Sequence, residues 1–171
     1  ESWAAHLSSS QGETGDINSK LLGLIIVSKL QMAALRRQRL PKEQRLDFFM
    51  YIDEFQNYVT ESIEVILSEA RKYRLSLNMA HQYLAQLGGE GKGAKGVSLK
   101  EAIFGNVGTM MSYKIGAQDA EYMAKEMAPV FSDQDLINID KFKAVMKLSI
   151  DTQPSKPFSI IPLNPYTEKG D

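Results

Sequence analysis

Phe48-Phe49-Met50-Tyr51-Ile52-Asp53-Glu54-Phe55-Gln56-Asn57 is the stretch on which the fold turns. Five apolar residues run without alternation into two adjacent carboxylates. A continuous apolar run of strand length predicts a strand buried on both faces, and such strands are characteristically parallel and covered by helices. Ligands of open α/β sheets gather at the carboxyl ends of strands, so Asp53 and Glu54 stand where chemistry is expected. Two neighbouring carboxylates can divide the work. The first can hold a hydrated Mg²⁺, and the second can orient or deprotonate a water aimed at a terminal phosphate. This is the pattern of a Walker B motif. Read alone, it fits equally well a polar strand end that feeds a loop.

The flanking segments alternate helix and strand. Trp3 to Leu7 reads as a short strand followed by a Ser/Gly-rich loop through Gly15, part of which is expected to come from cloning. Asp16 can cap a helix in which Ile17, Leu21, Leu24 and Ile25 keep helical spacing. Leu22, Ile26, Leu30 and Met32 widen that apolar face, which predicts a largely buried helix running to about Gln38. Arg36, Arg37 and Arg39 suit its C-terminal end, and Pro41 stops it. A second helix is expected from Thr60, with an apolar stripe of Ile63, Ile66, Leu67, Ala70 and Tyr73. Arg71 falls on the flank of that stripe. Leu75 to Ala80 alternates as a strand and closes on His81-Gln82. Gly88 to Gly96 is a Gly/Lys-rich loop. A short helix over Leu99 to Phe104, a strand over Val107 to Tyr113 and a helix over Gln118 to Met127 follow. Ser132 then caps a short helix over Asp133 to Ile137, Ala144 to Ile150 reads as a strand, and Phe158 to Ile161 as an edge strand in a Pro-rich tail. The pattern argues for an α/β fold with a mainly parallel sheet.

Composition narrows the chemistry. The 171 residues, 43% hydrophobic and 24% charged, suit one soluble domain with a substantial core. A net charge of −1 exerts no global pull on nucleic acid, so any basic surface must be local. The absence of cysteine excludes disulfides and thiolate metal sites and suits a reducing compartment. With His6 and His81 the only histidines, a histidine metal cluster is not expected. The longest apolar run, Leu21 to Val27, is far short of the ~20 residues a membrane span needs. The chain begins with Glu1, so a longer parent is expected.

Several blocks together resemble a known family. Phe49-Met50-Tyr51-Ile52-Asp53-Glu54-Phe55-Gln56-Asn57, then Ile66-Leu67-Ser68-Glu69-Ala70-Arg71-Lys72-Tyr73-Arg74-Leu75, then Ala80-His81-Gln82-Tyr83 are similar to the ATPase domain of type IV secretion and conjugation motors. These are the TraG/TraD-like coupling proteins, in the HerA–FtsK branch of RecA-like P-loop ATPases. Phe104-Gly105-Asn106-Val107-Gly108-Thr109, Gly116-Ala117-Gln118-Asp119-Ala120-Glu121 and Pro129-Val130-Phe131-Ser132-Asp133-Gln134-Asp135-Leu136 also resemble family segments, in the family's order. The resemblance implies a RecA-like three-layer fold, incomplete at the N-terminus, over residues 16–162, with 1–15 a leading loop or short strand and 163–171 a flexible tail. It implies a homo-hexameric ring that hydrolyses ATP with Mg²⁺ to move DNA or secreted protein, at the inner, cytoplasmic face of a membrane and in contact with secretion-apparatus components. In that frame Asp53 holds Mg²⁺ through water, Glu54 activates the attacking water and Gln82 senses the γ-phosphate. Arg71 reaches into a neighbouring subunit's site as a finger.

Each residue also has a plainer reading. Gln82 can cap a loop, and Arg71 can be a solvated helix residue paired with Glu64 or Glu69. Lys92 and Lys95 are candidate phosphate-backbone contacts in a pore loop, or simply part of a surface connector. Arg36, Arg37 and Arg39 are open between helix-end charges, a subunit interface and a DNA contact. Two departures from the family stand out. No G-x-x-x-x-G-K-[ST] loop is present, since Gly91-Lys92 is followed by Gly93. Gln11 stands where the family usually has Lys. The chain alone is therefore expected neither to bind ATP tightly nor to hydrolyse it. The competing reading is a non-catalytic RecA-like domain that binds a partner.

Overall fold

Three parallel strands carry the first part of the chain. The computed structural model describes residues 3–7, 16–58, 63–87 and 99–163, which fall into two units, Glu1–Asn106 and Val107–Asp171. In the first unit the order is β1 (Trp3–Leu7), α1 (Asp16–Arg36), β2 (Phe48–Ile52), α2 (Ile63–Glu69), β3 (Leu75–Met79) and α3 (Leu99–Phe104). The central strand is β2, with β1 and β3 parallel on either side. Each connection contains a helix, as parallel neighbours require. The register sets Phe48, Met50 and Ile52 beside Leu75, Leu77 and Met79, and Phe49 and Tyr51 beside Ser76 and Asn78.

That register corrects one expectation. Met50 and Ile52 are sealed in the core at 0% and 2% exposure, whereas Phe49 and Tyr51 on the opposite face are 37% and 43% exposed. The unbroken apolar run is therefore a strand buried on one face. An apolar run does not say which faces are covered, and here Ser76 and Asn78 share the open face with the two aromatic rings. Met50 and Ile52 each contribute on the order of 1.5–3 kcal/mol by leaving water.

The long helix is corrected in a similar way. It forms where the spacing predicts, over Asp16–Arg36, and ends in a 3-10 turn at Arg37–Arg39. Its buried face is Gly23, Val27, Gln31 and Ala34, while Leu21, Leu22, Ile25 and Met32 point outward at about half exposure. Apolar side chains surround this helix, so periodicity alone does not select the packed side. Close approach selects it instead. At Gly23 the helix backbone lies against the buried ring of Tyr58, where any Cβ would collide with Cε1 and Cδ1. In α2, Ile66 is buried, as are Ala70 and Tyr73 in the 3-10 turn that follows, in keeping with the expected stripe. Its expected start at Thr60 lies outside the described residues.

The second unit runs β4 (Met110–Ser112), α4 (Ala117–Met127), α5 (Asp133–Ile137), β5 (Ala144–Lys147), β6 (Ser149–Ile150), β7 (Gln153–Pro154) and β8 (Phe158–Ile160). Its sheet, β4-β5-β8, is antiparallel, and so is the small hairpin β6-β7. The expected mainly parallel sheet is thus confined to β1–β3. The strand expected from Ala144 to Ile150 breaks at Leu148, whose N–H donates to Ser155 Oγ at 2.9 Å and whose carbonyl accepts from Ser155 N at 2.7 Å. The hairpin reverses the chain there, so β8 returns antiparallel to β5. Ala120, Met127, Leu136 and Ala144, all at 0% exposure, form the core of this unit. No helix among the described residues is long and apolar enough to cross a membrane.

Ser132 caps α5 through a reciprocal box. Ser132 N and Oγ donate to Asp135 Oδ2 at 2.8 and 2.7 Å, and Asp135 N donates to Ser132 Oγ at 3.2 Å. The backbone N–H of Ser132, with its hydroxyl, holds the Asp135 carboxyl below the usual aspartate range. A depressed folded-state value contributes stability above the unfolded pKa, and that contribution is lost as pH falls through the folded value. Ser132→Ala should flatten the acid side of a plot of unfolding temperature against pH, as followed by circular dichroism. Separately, Gly23→Ala should lower stability by about 1–3 kcal/mol in urea unfolding, because the added Cβ collides with the buried Tyr58 ring.

Candidate functional site at the end of the central strand

The site is built by the way β2 ends. Ala80 N donates to Ile52 O at 2.9 Å, and Phe55 N donates to Ala80 O at 3.1 Å. The chain leaves the sheet for Asp53 and Glu54 only, then returns to the same neighbour. So short an excursion needs a left-handed residue, and Glu54 supplies it with φ of 46°. A glutamate there costs on the order of 1–3 kcal/mol. Two hydrogen bonds steady the turn: Glu54 N donates to Asp53 Oδ1 at 2.9 Å, and Asn57 N donates to Glu54 O at 2.9 Å. The second opens a 3-10 turn over Phe55–Tyr58, whose Phe55 is 2% exposed. The Phe55 ring meets the His81 imidazole edge-on, with centroids 5.6 Å apart. The exits of β2 and β3 are thereby fastened together.

This geometry brings Gln82 to Glu54. Gln82 Nε2 donates to Glu54 Oε1 at 3.4 Å, across 28 residues of sequence. Asn57 Nδ2 donates to Glu54 Oε2 at 3.3 Å. A carboxylate can only accept, so both carboxamides present their N–H groups to it. These distances lie at the long end of the hydrogen-bond range, so the contacts orient the carboxylate more than they stabilise it. Asp53 is exposed and has one oxygen on the Glu54 N–H. Among the described residues no group of three or more His, Asp or Glu could encage a metal ion. Asn57 was missed in the sequence reading. Its signal is the i, i+3 spacing from Glu54, which a tight turn converts into contact.

No protein-family model and no curated protein sequence matches the chain. Solved structures do. The plasmid coupling protein TrwB in complex with ADP and Mg²⁺ superposes with a TM-score of 0.62 and 15% identity, covering 84% of this chain and 37% of that one. TrwB in complex with the ATP analogue ADPNP gives 0.60 and 14%, covering 84% and 37%. VirB4 of Thermoanaerobacter pseudethanolicus gives 0.52 and 19%, covering 80% and 36%. The chain has a TrwB-like fold. It spans little more than a third of the length of these proteins, and at such identities the likeness concerns the fold.

Other basic residues of the TrwB-like chain sort by their contacts. Arg37 is structural: its Nη1 donates to Leu46 O at 2.8 Å and Tyr73 O at 3.2 Å, and its guanidinium lies 5.7 Å from the Phe48 ring centroid. Arg45 donates to Leu40 O at 3.0 and 2.8 Å and also to Lys72 O. Together they pin the entrances of β2 and β3. Arg71 is exposed in the turn Ala70–Tyr73 just before β3, at the opposite end of the strands from Glu54. Glu69 is engaged by Lys72 at 3.2 Å and by the Tyr73 hydroxyl at 3.0 Å. That hydrogen bond to Glu69, with burial, pushes the Tyr73 phenol up from its ordinary pKa. Lys92 and Lys95 lie outside the described residues. A shallow recess of about 300 Å³ in the second unit, lined by Phe131, Asp135, Lys143 and Ser159 among others, contains none of the carboxylates of the β2 turn.

Arg71→Ala should leave stability within about 0.5 kcal/mol of the parent, because its side chain is exposed. Arg37→Ala should cost about 1–3 kcal/mol by removing the charged donor shared by two carbonyls and its contact with the Phe48 ring. Urea denaturation of the two variants side by side checks both expectations.

Proposed function

We propose that this chain is the Walker B part of a ring-forming, ATP-driven motor that moves DNA or protein in conjugation or type IV secretion. One observation carries the reading: the Asp53–Glu54 turn lies at the carboxyl end of the central parallel strand, with Gln82 from the next strand on the Glu54 carboxylate, in a TrwB-like fold. The TrwB structures in complex with ADP and Mg²⁺ and with an ATP analogue support a nucleotide and Mg²⁺ as ligands of the complete protein.

In this reading Asp53 holds Mg²⁺ through water. The ion, when bound, neutralises charge developing on the phosphate oxygens. Glu54, held by the carboxamides, orients a water in line with the γ-phosphate and accepts its proton as ADP and phosphate form. Gln82, in contact with the Glu54 carboxylate, would sense the γ-phosphate. Arg71, at the far end of its own strands, acts only on the site of another copy in a homo-hexameric ring. Residues 16–162 form a partial RecA-like domain, and Lys92 and Lys95 offer contacts to a nucleic-acid backbone. The full protein works with secretion-apparatus components at the cytoplasmic face of a membrane.

A second reading, a non-catalytic domain that binds a partner, is favoured by the lack of a G-x-x-x-x-G-K-[ST] loop in these 171 residues. In the motor reading the phosphate cradle comes from other residues of the protein.

ATP turnover by the full-length gene product, with and without DNA, separates the two. Glu54→Gln should lower kcat by about 10²–10⁴-fold while ATP still binds, the range lost with a general base. Stimulation by DNA would identify the cargo. A full-length protein that turns over no ATP under any condition leaves the partner-binding domain as the better account.

A further inference from the structure

We infer that Asn57 is a positioning residue for Glu54, the second jaw of a carboxamide clamp whose first jaw is Gln82. The inference rests on the reading of Glu54 as the water-activating carboxylate and adds to it a residue that the sequence reading did not single out.

Asn57 holds Glu54 at two points. Its backbone N–H closes the turn on Glu54 O at 2.9 Å, and its side-chain Nδ2 reaches Glu54 Oε2 at 3.3 Å. Gln82 takes the other oxygen, Oε1, at 3.4 Å. Donors on both oxygens fix the plane of the carboxylate, which a donor on one oxygen alone leaves freer to rotate about its terminal torsion. The fixing comes from two directions in the fold. Asn57 belongs to the turn that follows β2, and Gln82 to the exit of β3, tied to that turn by the Ala80 hydrogen bonds and the Phe55–His81 ring contact. A glutamate on a left-handed residue has its backbone direction set at φ of 46°, so side-chain rotation is the freedom left for a clamp to remove. An unaimed general base loses rate steeply, because a small misplacement of the reacting groups is costly. Both contacts are long, leaving room to tighten when a water and a phosphate arrive.

A purely structural role makes a different demand. If Asn57 only braces the 3-10 turn, its backbone N–H does most of that work, and removing the side chain changes stability and not the chemical step.

The test uses the full-length protein for turnover and the 171-residue chain for the contact itself. Asn57→Ala should lower kcat about tenfold to a hundredfold with KM for ATP nearly unchanged. Asn57→Asp, equal in size but without the donor and bearing a like charge, should lose more. Asn57→Ala placed on Glu54→Gln should lose nothing further, because the carboxylate it aims is gone. In ¹⁵N-labelled chain, Glu54→Ala should shift the side-chain amide resonances of both Asn57 and Gln82. Turnover unchanged in Asn57→Ala, with only the unfolding temperature lowered, overturns the inference while leaving the motor reading intact. Amide resonances that stay in place overturn the clamp directly. Absence of turnover in the wild type overturns the motor reading, and with it the role inferred for Asn57, even if the amide shifts show the contact.

Discussion

The two hydrogen bonds that Ala80 makes across the end of β2 are the constraint on which the rest of the first unit depends. They force the chain to leave and rejoin the sheet within two residues, and those residues are Asp53 and Glu54. The left-handed backbone of Glu54, the 3-10 turn after it and the meeting of Phe55 with His81 all follow from so narrow a passage. Gln82 arrives at the glutamate because β3 ends beside β2 in register, with Ile52 opposite Met79. The cluster is a product of strand alignment, and a shift of β3 by one residue would turn Gln82 away.

Much of this was legible in the sequence, at the level where local chemistry decides. Ser132 marks a helix start by its capping chemistry, and α1 begins at Asp16, the position its spacing predicts, and gives way to a 3-10 turn shortly before Pro41. The apolar run before Asp53 marks a strand, and its carboxyl end marks a site. What stayed illegible depends on which surfaces meet. The α1 sequence is apolar nearly all round, so only the approach of Gly23 to Tyr58 decides that Val27, Gln31 and Ala34 face inward. The run of β2 likewise does not reveal that Phe49 and Tyr51 stay open. The antiparallel return of β8 beside β5 follows from a reversal at Leu148 to Ser155, a side-chain-to-backbone closure that no periodicity announces.

The arginines show the same division between composition and contact. Arg36, Arg37 and Arg39 look alike in sequence, as a basic cluster at a helix end. In the fold, Arg37 spends its donors on Leu46 and Tyr73 carbonyls, and Arg45, outside that cluster, does the same for Leu40 and Lys72. A guanidinium is suited to such bridging because its donors are rigidly spread. Arg71, Lys72 and Arg74 stay exposed at that end of the sheet, Lys72 beside Glu69 and Arg74 beside Asp47.

The open face of β2 links stability to occupancy. Phe49 and Tyr51 alternate with the core residues Met50 and Ile52 on the strand that ends at Asp53. Whatever binds those two rings in the folded unit, and not in the unfolded chain, deepens the folded well by mass action, by an amount set by its concentration relative to its dissociation constant. The stability measured for the isolated chain is thus a lower bound on that of the covered one.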